Sequence, residues 1–263
     1  MMIIKIGGGS EINIKGIIAD LSEQREHFII VHGANALRDE LAARLGIQKN
    51  VITSVRGYAS VLSDESVIDL QMMAYAGLRN KRIVELCQQH GINAIGLSGL
   101  DGKIIQGQRN VGIRVKEGSK IKLVRDFSGK PSAINTALLN LLLSNGYMPV
   151  LCVPIIDENN FAINSENDDI VRVLQEAIKT DTIIQFIEAP GFLDDPNDPA
   201  SLVPKITRTE LVHREEQVEG RMKRKMLALR QLFEGGAAKV IITEGRTEHP
   251  LKDALAGKGT VIS

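Results

Sequence analysis

Tryptophan is absent from the 263-residue chain, and aromatic residues make up only 3% of it. That removes the stacking platforms on which single-stranded nucleic acids are held. Neither sign of charge is in excess: 32 Lys and Arg balance 32 Asp and Glu, so the net charge is zero. A nucleic-acid binder carries a basic surplus, so none is expected here as a partner. The two cysteines, Cys87 and Cys152, lie in apolar stretches (ELCQQ and VLCVP) without metal-ligand spacing, and read as reduced, buried thiols. No apolar run reaches the roughly 20 residues of a membrane span. The opening MMIIKIGGGS is too short in its apolar run for a signal peptide, so a cytoplasmic protein with no membrane partner is expected. Also missing are the P-loop pattern G-x-x-x-x-G-K, a G-x-G-x-x-G after a strand, a serine elbow and any His pair at metal spacing. No protein-bound metal set is predicted.

What is present is alternation. Short Ile- and Val-rich runs predict strands at Met2–Ile6, His27–His32, Ala94–Ser98, Lys103–Gln106, Gly112–Lys116, Lys120–Val124, Met148–Val153, Thr182–Phe186 and Lys239–Thr243. Several are continuously apolar, as in a parallel sheet covered on both faces. Helical spacing predicts helices at Ile14–Arg25, Leu37–Leu45, Asp64–His90, Ser132–Ser144, Asp168–Ile178 and Gly220–Glu234. The fold class is therefore α/β, an open and mainly parallel sheet sandwiched by helices. Between Asp101 and Lys130 three short strands with Gly turns break the rhythm and read as antiparallel hairpins inserted on that body. The expected division is an N-terminal half, residues 1–179, for a carboxylate substrate and dimerisation, and a nucleotide half, residues 180–263.

Four segments could carry chemistry. In KIGGG, Gly7 and Gly8 follow the first strand, and Lys5 stands two residues before them. Glycines let backbone N–H groups approach an anion, although a plain Gly turn reads the same way locally. In VHGAN, Gly33, Ala34 and Asn35 lead from the second strand into a helix whose free N–H groups suit an anion, and His32 reads as structural. Both turns end parallel strands, at the edge where such sheets bind ligands. In INSENDD, Asn164 can donate to a carboxylate and Asp168 can orient lysines or a metal, with a helix cap as the competing reading. In GRMKRK the basic run that includes Lys225 opens a helix, where positive charge opposes the macrodipole and points to an anion or a partner.

In order, these segments resemble the amino-acid kinase family. Its K-x-G-G, H-G-G-G, N-K, G-L-S-G-x-D-G, G-Y-x-P-V, N-x-x-x-D and G-x-M-x-x-K elements are similar to Lys5–Gly8, His32–Asn35, Asn80-Lys81, GLSGLDG, GYMPV, Asn164 to Asp168 and Gly220 to Lys225. IKIGGGSEIN, LRNKRIVELCQQHGINAIGLSGLDG, EGRMKRKM and GKGTVIS most resemble the branch that phosphorylates aminoadipate on an amino-group carrier protein, and Leu100 suits that branch. The resemblance implies a cytoplasmic, homodimeric transferase of lysine or arginine biosynthesis that uses ATP and Mg2+. Its substrate amino group would be masked by a small acidic carrier protein. It further implies that Lys5 and Lys225 stabilise the transferring phosphoryl group and that Asp168 holds both lysines. Gly7, Gly8, Gly33 and Ala34 would bind phosphate, and Asn35, Gly57, Tyr58 and Asn164 the substrate.

The chain departs from the family in three places. Ala34 and Asn35 replace the second and third glycines of H-G-G-G. The Arg expected in the next loop is missing from RGYASVLSD, where Ala59 and Val61 stand and Arg56 lies upstream. The family's S-D-x-x-G reads Ile187-Glu188-Ala189-Pro190-Gly191. A basic concentration at Lys103, Arg109, Arg114, Lys116, Lys120, Lys122, Arg125 and Lys130 suits an acidic carrier, with Lys116, Lys120 and Lys122 as its expected contacts. Two alternatives stay open: an N-acetylglutamate kinase acting on free substrate, and a catalytically silent nucleotide- or carrier-binding relative.

Overall fold

The computed structural model describes residues 1–48, 50–53, 55, 59–117, 120–195, 197–217, 220–237 and 239–263, with side chains at 51–53, 59–61, 113, 116–117, 217 and 220–225 outside that description. The chain opens with β1 (Met2–Ile6), α1 (Ile14–Ser22), β2 (Phe28–His32), α2 (Asn35–Leu45), β3 (Val51–Thr53) and β4 (Ala59–Val61). Then come α3 (Glu65–Gln71), a π-helical stretch (Met72–Arg79), α4 (Asn80–Gln89), β5 (Ala94–Ser98), β6 (Ile105–Arg109), β7 (Ile113–Glu117) and β8 (Lys120–Val124). Next are β9 (Gly129–Ile134), α5 (Thr136–Ser144), β10 (Met148–Cys152), β11 (Ile155–Ile156), β12 (Ala162–Ile163) and α6 (Asn167–Ile178). The last part holds β13 (Thr182–Ile187), β14 (Lys205–Ile206), α7 (Arg208–Gln217), α8 (Gly220–Glu234), β15 (Lys239–Glu244), α9 (Pro250–Leu255) and β16 (Thr260–Ile262).

Eight strands form one sheet in the order β14-β16-β15-β13-β1-β2-β10-β5. All neighbours are parallel except β15 and β16. The expected open α/β sheet is therefore present. Strands before residue 180 lie on one side of the β1–β13 seam and later strands on the other. Both sheet faces are buried, which is why the strands read as unbroken apolar runs. On one face Ile3, Ile29, Val31 and Ile183 pack with Val171 and Leu174 of α6 and Leu229 of α8. On the other, Ile4, Ile6, Ile30 and Phe186 pack with Ile17 of α1, Ile83 of α4 and Leu251 of α9. Burying each such side chain is worth about 1.5–3 kcal/mol. Lys5 and His32 are the buried polar exceptions within β1 and β2. The period-2 pleat puts Lys5 on the α6 and α8 face with Ile3.

Elsewhere the structure corrects the reading. The helix expected from Ser132 begins at Thr136, because Gly129–Ile134 instead pair as β9 with β6, and Asn135 caps the helix by accepting from Leu138 N–H. The three-strand hairpin insertion reduces to one antiparallel pair, β7 and β8. β6 belongs to a separate four-stranded sheet, β12-β11-β6-β9. The basic concentration divides with it. Arg109 donates to the Asp126 carbonyl and stacks 4.0 Å over Phe127, and Lys103 donates to Asn160. The long helix from Asp64 is continuous, but its centre is π-helical. Cys87 and Cys152 are buried free thiols, as read, and burial raises both to about 12. Among the described residues no helix is long and apolar enough to cross a membrane.

His32 is structural, as read. Its Nε2 lies 3.2 Å from Asn80 Nδ2, and its Nδ1 lies 3.3 Å from the Gly33 carbonyl. Neutral imidazole satisfies both contacts, accepting from one and donating to the other. Burial lowers its pKa from 6.5 to about 4, opposed by the Gly33 hydrogen bond and reinforced by Arg79 and Lys81. The unfolded chain therefore takes up a proton that the folded chain refuses until about pH 4. Stability falls as pH drops through that window, by about 3 kcal/mol at its lower end. Chemical denaturation at stepped pH should reveal this slope, and His32→Gln, which cannot titrate, should flatten it. An identical slope in the variant excludes His32 as its source.

Candidate active site

β1 and β2 run side by side with Ile6 opposite His32, so the turns that follow them meet at the carboxyl edge of the sheet. Gly33 N–H donates to the Ile6 carbonyl at 2.9 Å, and Ala36 N–H donates to the Gly8 carbonyl at 3.0 Å. The two turns cross almost in contact. A Cβ on Gly33 would fall 2.8 Å from Gly8 N, and one on Gly8 would fall 2.6 Å from Asn35 N and 2.9 Å from Ala34 N. Only glycine permits this approach. Helices α2 and α6 begin here without side-chain caps. Their first-turn N–H groups carry the positive end of the helix dipole, an arrangement that suits an anion. From the other side, Gly7 N–H donates to the Phe186 carbonyl at 3.0 Å, and Glu188, after β13, accepts from Glu11 N–H at 2.8 Å.

Lys5 extends from β1 to the first turn of α6, where its Nζ donates to Asp168 Oδ1. Lys5 is 9% exposed and the Asp168 side chain 35% exposed, so the cation is shielded while its partner faces the opening. A small cavity behind the pair is lined by Asp168, Gln185, Ala228, Leu229 and Leu232. Lys225 belongs to α8, and its side chain lies outside the described residues. Among the described residues no three His, Cys, Asp or Glu gather into a metal cage.

The remaining expected positions are distributed as follows. Asn35 opens α2 beside the crossing, and its Oδ1 accepts the Tyr75 hydroxyl. Asn164 follows β12, where its Nδ2 donates to Ser63 Oγ at 3.2 Å. Ser63 N–H in turn donates to the buried Asp126 carboxylate at 3.1 Å. Gly57 and Tyr58 lie outside the described residues. Lys120 and Lys122 are exposed on β8; Lys116 is on β7, its side chain outside the described residues. Sequence reasoning missed Asn167, whose Nδ2 lies 3.3 Å from the place of a Cβ on Gly33 and whose Oδ1 is buried without a partner. Its only signal was adjacency to Asp168. Tyr75, Ser63 and Asp126 were missed as well, because their roles depend on contacts distant in sequence.

The sequence profile described as the amino acid kinase family matches residues 1–244. The chain belongs to the amino acid kinase family. It is 37% identical over 269 residues to the LysW-aminoadipate kinase of Thermus thermophilus, covering 100% of both chains. To the acetylglutamate kinase of Methanopyrus kandleri it is 28% identical over 264 residues, again covering 100% of both. Among solved structures, an N-acetylglutamate synthase from Neisseria gonorrhoeae, complexed with coenzyme A and N-acetyl-glutamate, superposes with a TM-score of 0.77 at 19% identity. That match covers 100% of this chain and 59% of the synthase, and at such identity it speaks for the fold alone.

In this amino acid kinase the Gly8–Gly33 crossing leaves no room for a methyl group. Gly8→Ala should force α2 away from the first turn and lower kcat/KM about a hundredfold, the scale of a 1 Å misplacement of reacting groups. Circular dichroism should stay native. Full activity in the folded variant would remove the crossing from the catalytic path.

Proposed function

We propose that the protein transfers the γ-phosphoryl group of ATP to the side-chain carboxylate of aminoadipate, or a related acid, whose amino group is held by a small acidic carrier protein. The Lys5–Asp168 pair beside the Gly8–Gly33 crossing carries this reading. Full-length identity of 37% to a LysW-aminoadipate kinase supports the substrate class. Family membership makes ATP the phosphoryl donor, and the glycine cradle, which any Cβ would fill, fits its phosphates.

In the reaction a carboxylate oxygen bonds to the γ-phosphorus while the bond to the bridging oxygen of ADP breaks, leaving an acyl phosphate. The nucleophile is already ionised and needs no base, so the protein contributes position and positive charge. Lys5 and the uncapped N–H groups of α2 and α6 face the charge that spreads over the phosphoryl oxygens. Asp168 keeps the Lys5 ammonium at that edge. Lys225 precedes Ala228 and Leu229 by one helical turn, and we assign it as the second cation. Mg2+ neutralises phosphate oxygens when bound, and because it keeps much of its shell as water and phosphate it asks for few carboxylates. Asp168 is the described carboxylate best placed to share it. We further read residues 1–179 as the carboxylate and dimerisation half and residues 180–263 as the nucleotide half of a cytoplasmic homodimer. Asn35 and Asn164 fall in the first half, with Gly57 and Tyr58, as its substrate residues.

Hydroxylamine trapping of ATP-dependent acyl phosphate tests the chemistry. Lys5→Ala and Lys225→Ala should each lower kcat about a hundredfold or more. Asp168→Asn should lower kcat more than it changes the KM for ATP. A folded Lys225→Ala enzyme with unchanged turnover removes Lys225 from the catalytic set.

The carrier is tested with paired substrates. Reversing Lys116, Lys120 and Lys122 to Glu should raise KM for carrier-bound substrate and flatten its salt dependence, because rim charges steer association over about 10 Å at 0.1 M salt. KM for a free N-acetylated acid should barely change. Equal activity on free N-acetylglutamate, with no effect of the triple reversal, would instead support a free-metabolite kinase.

A further inference from the structure

Helices α3 and α4 are two ends of one rod whose centre, Met72–Arg79, is wound as a π-helix. Such turns are rare and are found often at functional sites. The rod passes from one side of the sheet to the other: Ala74 and Tyr75 pack with the core under α6, Ile83 and Cys87 with the core under α1. One side chain in the π turn and one just after it reach the end of β2 and the segment that follows it. Asn80 meets His32, and Tyr75 meets Asn35.

Asn35 stands where the resemblance has the third glycine of H-G-G-G, so the chain has introduced an amide beside the crossing. Its Cγ is 3.2 Å from the place a Cβ on Gly8 would take. An amide has two ends of similar shape and opposite function, and a free Asn can present either. Here the choice is made. The Tyr75 hydroxyl donates to Asn35 Oδ1, and the phenol oxygen is faced in turn by the Ala34 backbone N–H. The carbonyl end of the amide is thereby occupied, and the NH2 end is the one offered to a ligand. Tyr75 is 3% exposed. Burial, with Glu166 and Asp39 adding and Arg38 and Ala34 opposing, raises its pKa to about 12, so it remains a donor at any ordinary pH.

We propose that Tyr75 is a positioning residue: its hydroxyl fixes the Asn35 amide so that the NH2 end receives the carboxylate of the acyl acceptor at the Gly8–Gly33 crossing. The acceptor half of the statement rests on the function proposed above. A phenylalanine keeps the ring's packing and removes only the donor, which leaves the Asn35 amide free to turn over. Asn35 is a departure from the glycine pattern of H-G-G-G, and Tyr75 is the residue that orients it.

Two measurements test this separately. In protein labelled with 15N-asparagine and without substrate, the side-chain amide signal lost in Asn35→Ala identifies Asn35. Tyr75→Phe should shift that signal, and an unmoved signal overturns the positioning role whatever the substrate is. In the acyl phosphate assay, Tyr75→Phe should raise KM for the carboxylate substrate about three- to tenfold, the scale of one hydrogen bond. KM for ATP and kcat should stay within twofold. Tyr75→Phe combined with Asn35→Ala should match Asn35→Ala alone, because both act through one amide. Additive losses, or equal rises in both KM values with a lowered melting temperature, would show a merely structural tyrosine and overturn the proposal. If the wild-type enzyme forms no acyl phosphate, the kinase reading fails, while the amide signal still decides the role of Tyr75.

Discussion

Two main chains cross at Gly8 and Gly33 within the space that one Cβ would need, and the other groups at the carboxyl edge take their places from that contact. The parallel pairing of β1 with β2 brings the turns together, and the Ala36 to Gly8 hydrogen bond locks the start of α2 onto the first turn. The backbone nitrogens of Ala34 and Asn35 then lie against Gly8. Lys5, two residues before Gly7, is carried to the same edge by the strand. A side chain at either glycine would separate these parts together, since no flexible group lies between the two backbones to absorb the change.

Charge is managed locally in a chain whose totals cancel. Pulling Lys5 from water costs several kcal/mol, and a single carboxylate in a partly open position offsets that cost without adding much stability. Such a pair is poor evidence for a structural role, and suits a cation held for the phosphate proposed to bind there. The starts of α2 and α6, which lack side-chain caps, follow the same logic, since a first-turn N–H without a partner is costly unless water or a ligand meets it. Buried His32, kept neutral, contacts the turn after β2 without adding charge to that edge.

Much of the sheet was legible because strands covered on both faces cannot hide their composition: Met2–Ile6 and Ala94–Ser98 match their runs. Lys5, Gly8 and Gly33 stood out because each breaks a pattern, a charge in an apolar strand or a glycine at its end, whereas Asp168 sits in a polar first turn and stood out only through the family resemblance. The misses have physical causes. Gly129–Ile134 lacks any strand signature of its own and becomes β9 only by pairing with β6. β11, β12 and β14 are two residues long, below any periodicity, and α7 is too polar to announce a buried face. Nothing in MMAYAGLR separates a π turn from an α turn, so the reach of Tyr75 to Asn35 could not be read.

The seam between β1 and β13 also has a consequence for how the chain is made. β1 leaves the ribosome before either of the strands it pairs with, and β2 can cover one of its edges almost at once. Its other edge pairs with Thr182–Ile187. At about 5–20 residues per second, that partner emerges on the order of ten to forty seconds later. Through that interval the nascent chain carries an apolar strand with one open hydrogen-bonding edge, a template for pairing with neighbouring chains. Vectorial synthesis thus places the greatest burden of protection on the N-terminal half, which must stay soluble with its future centre exposed as a rim.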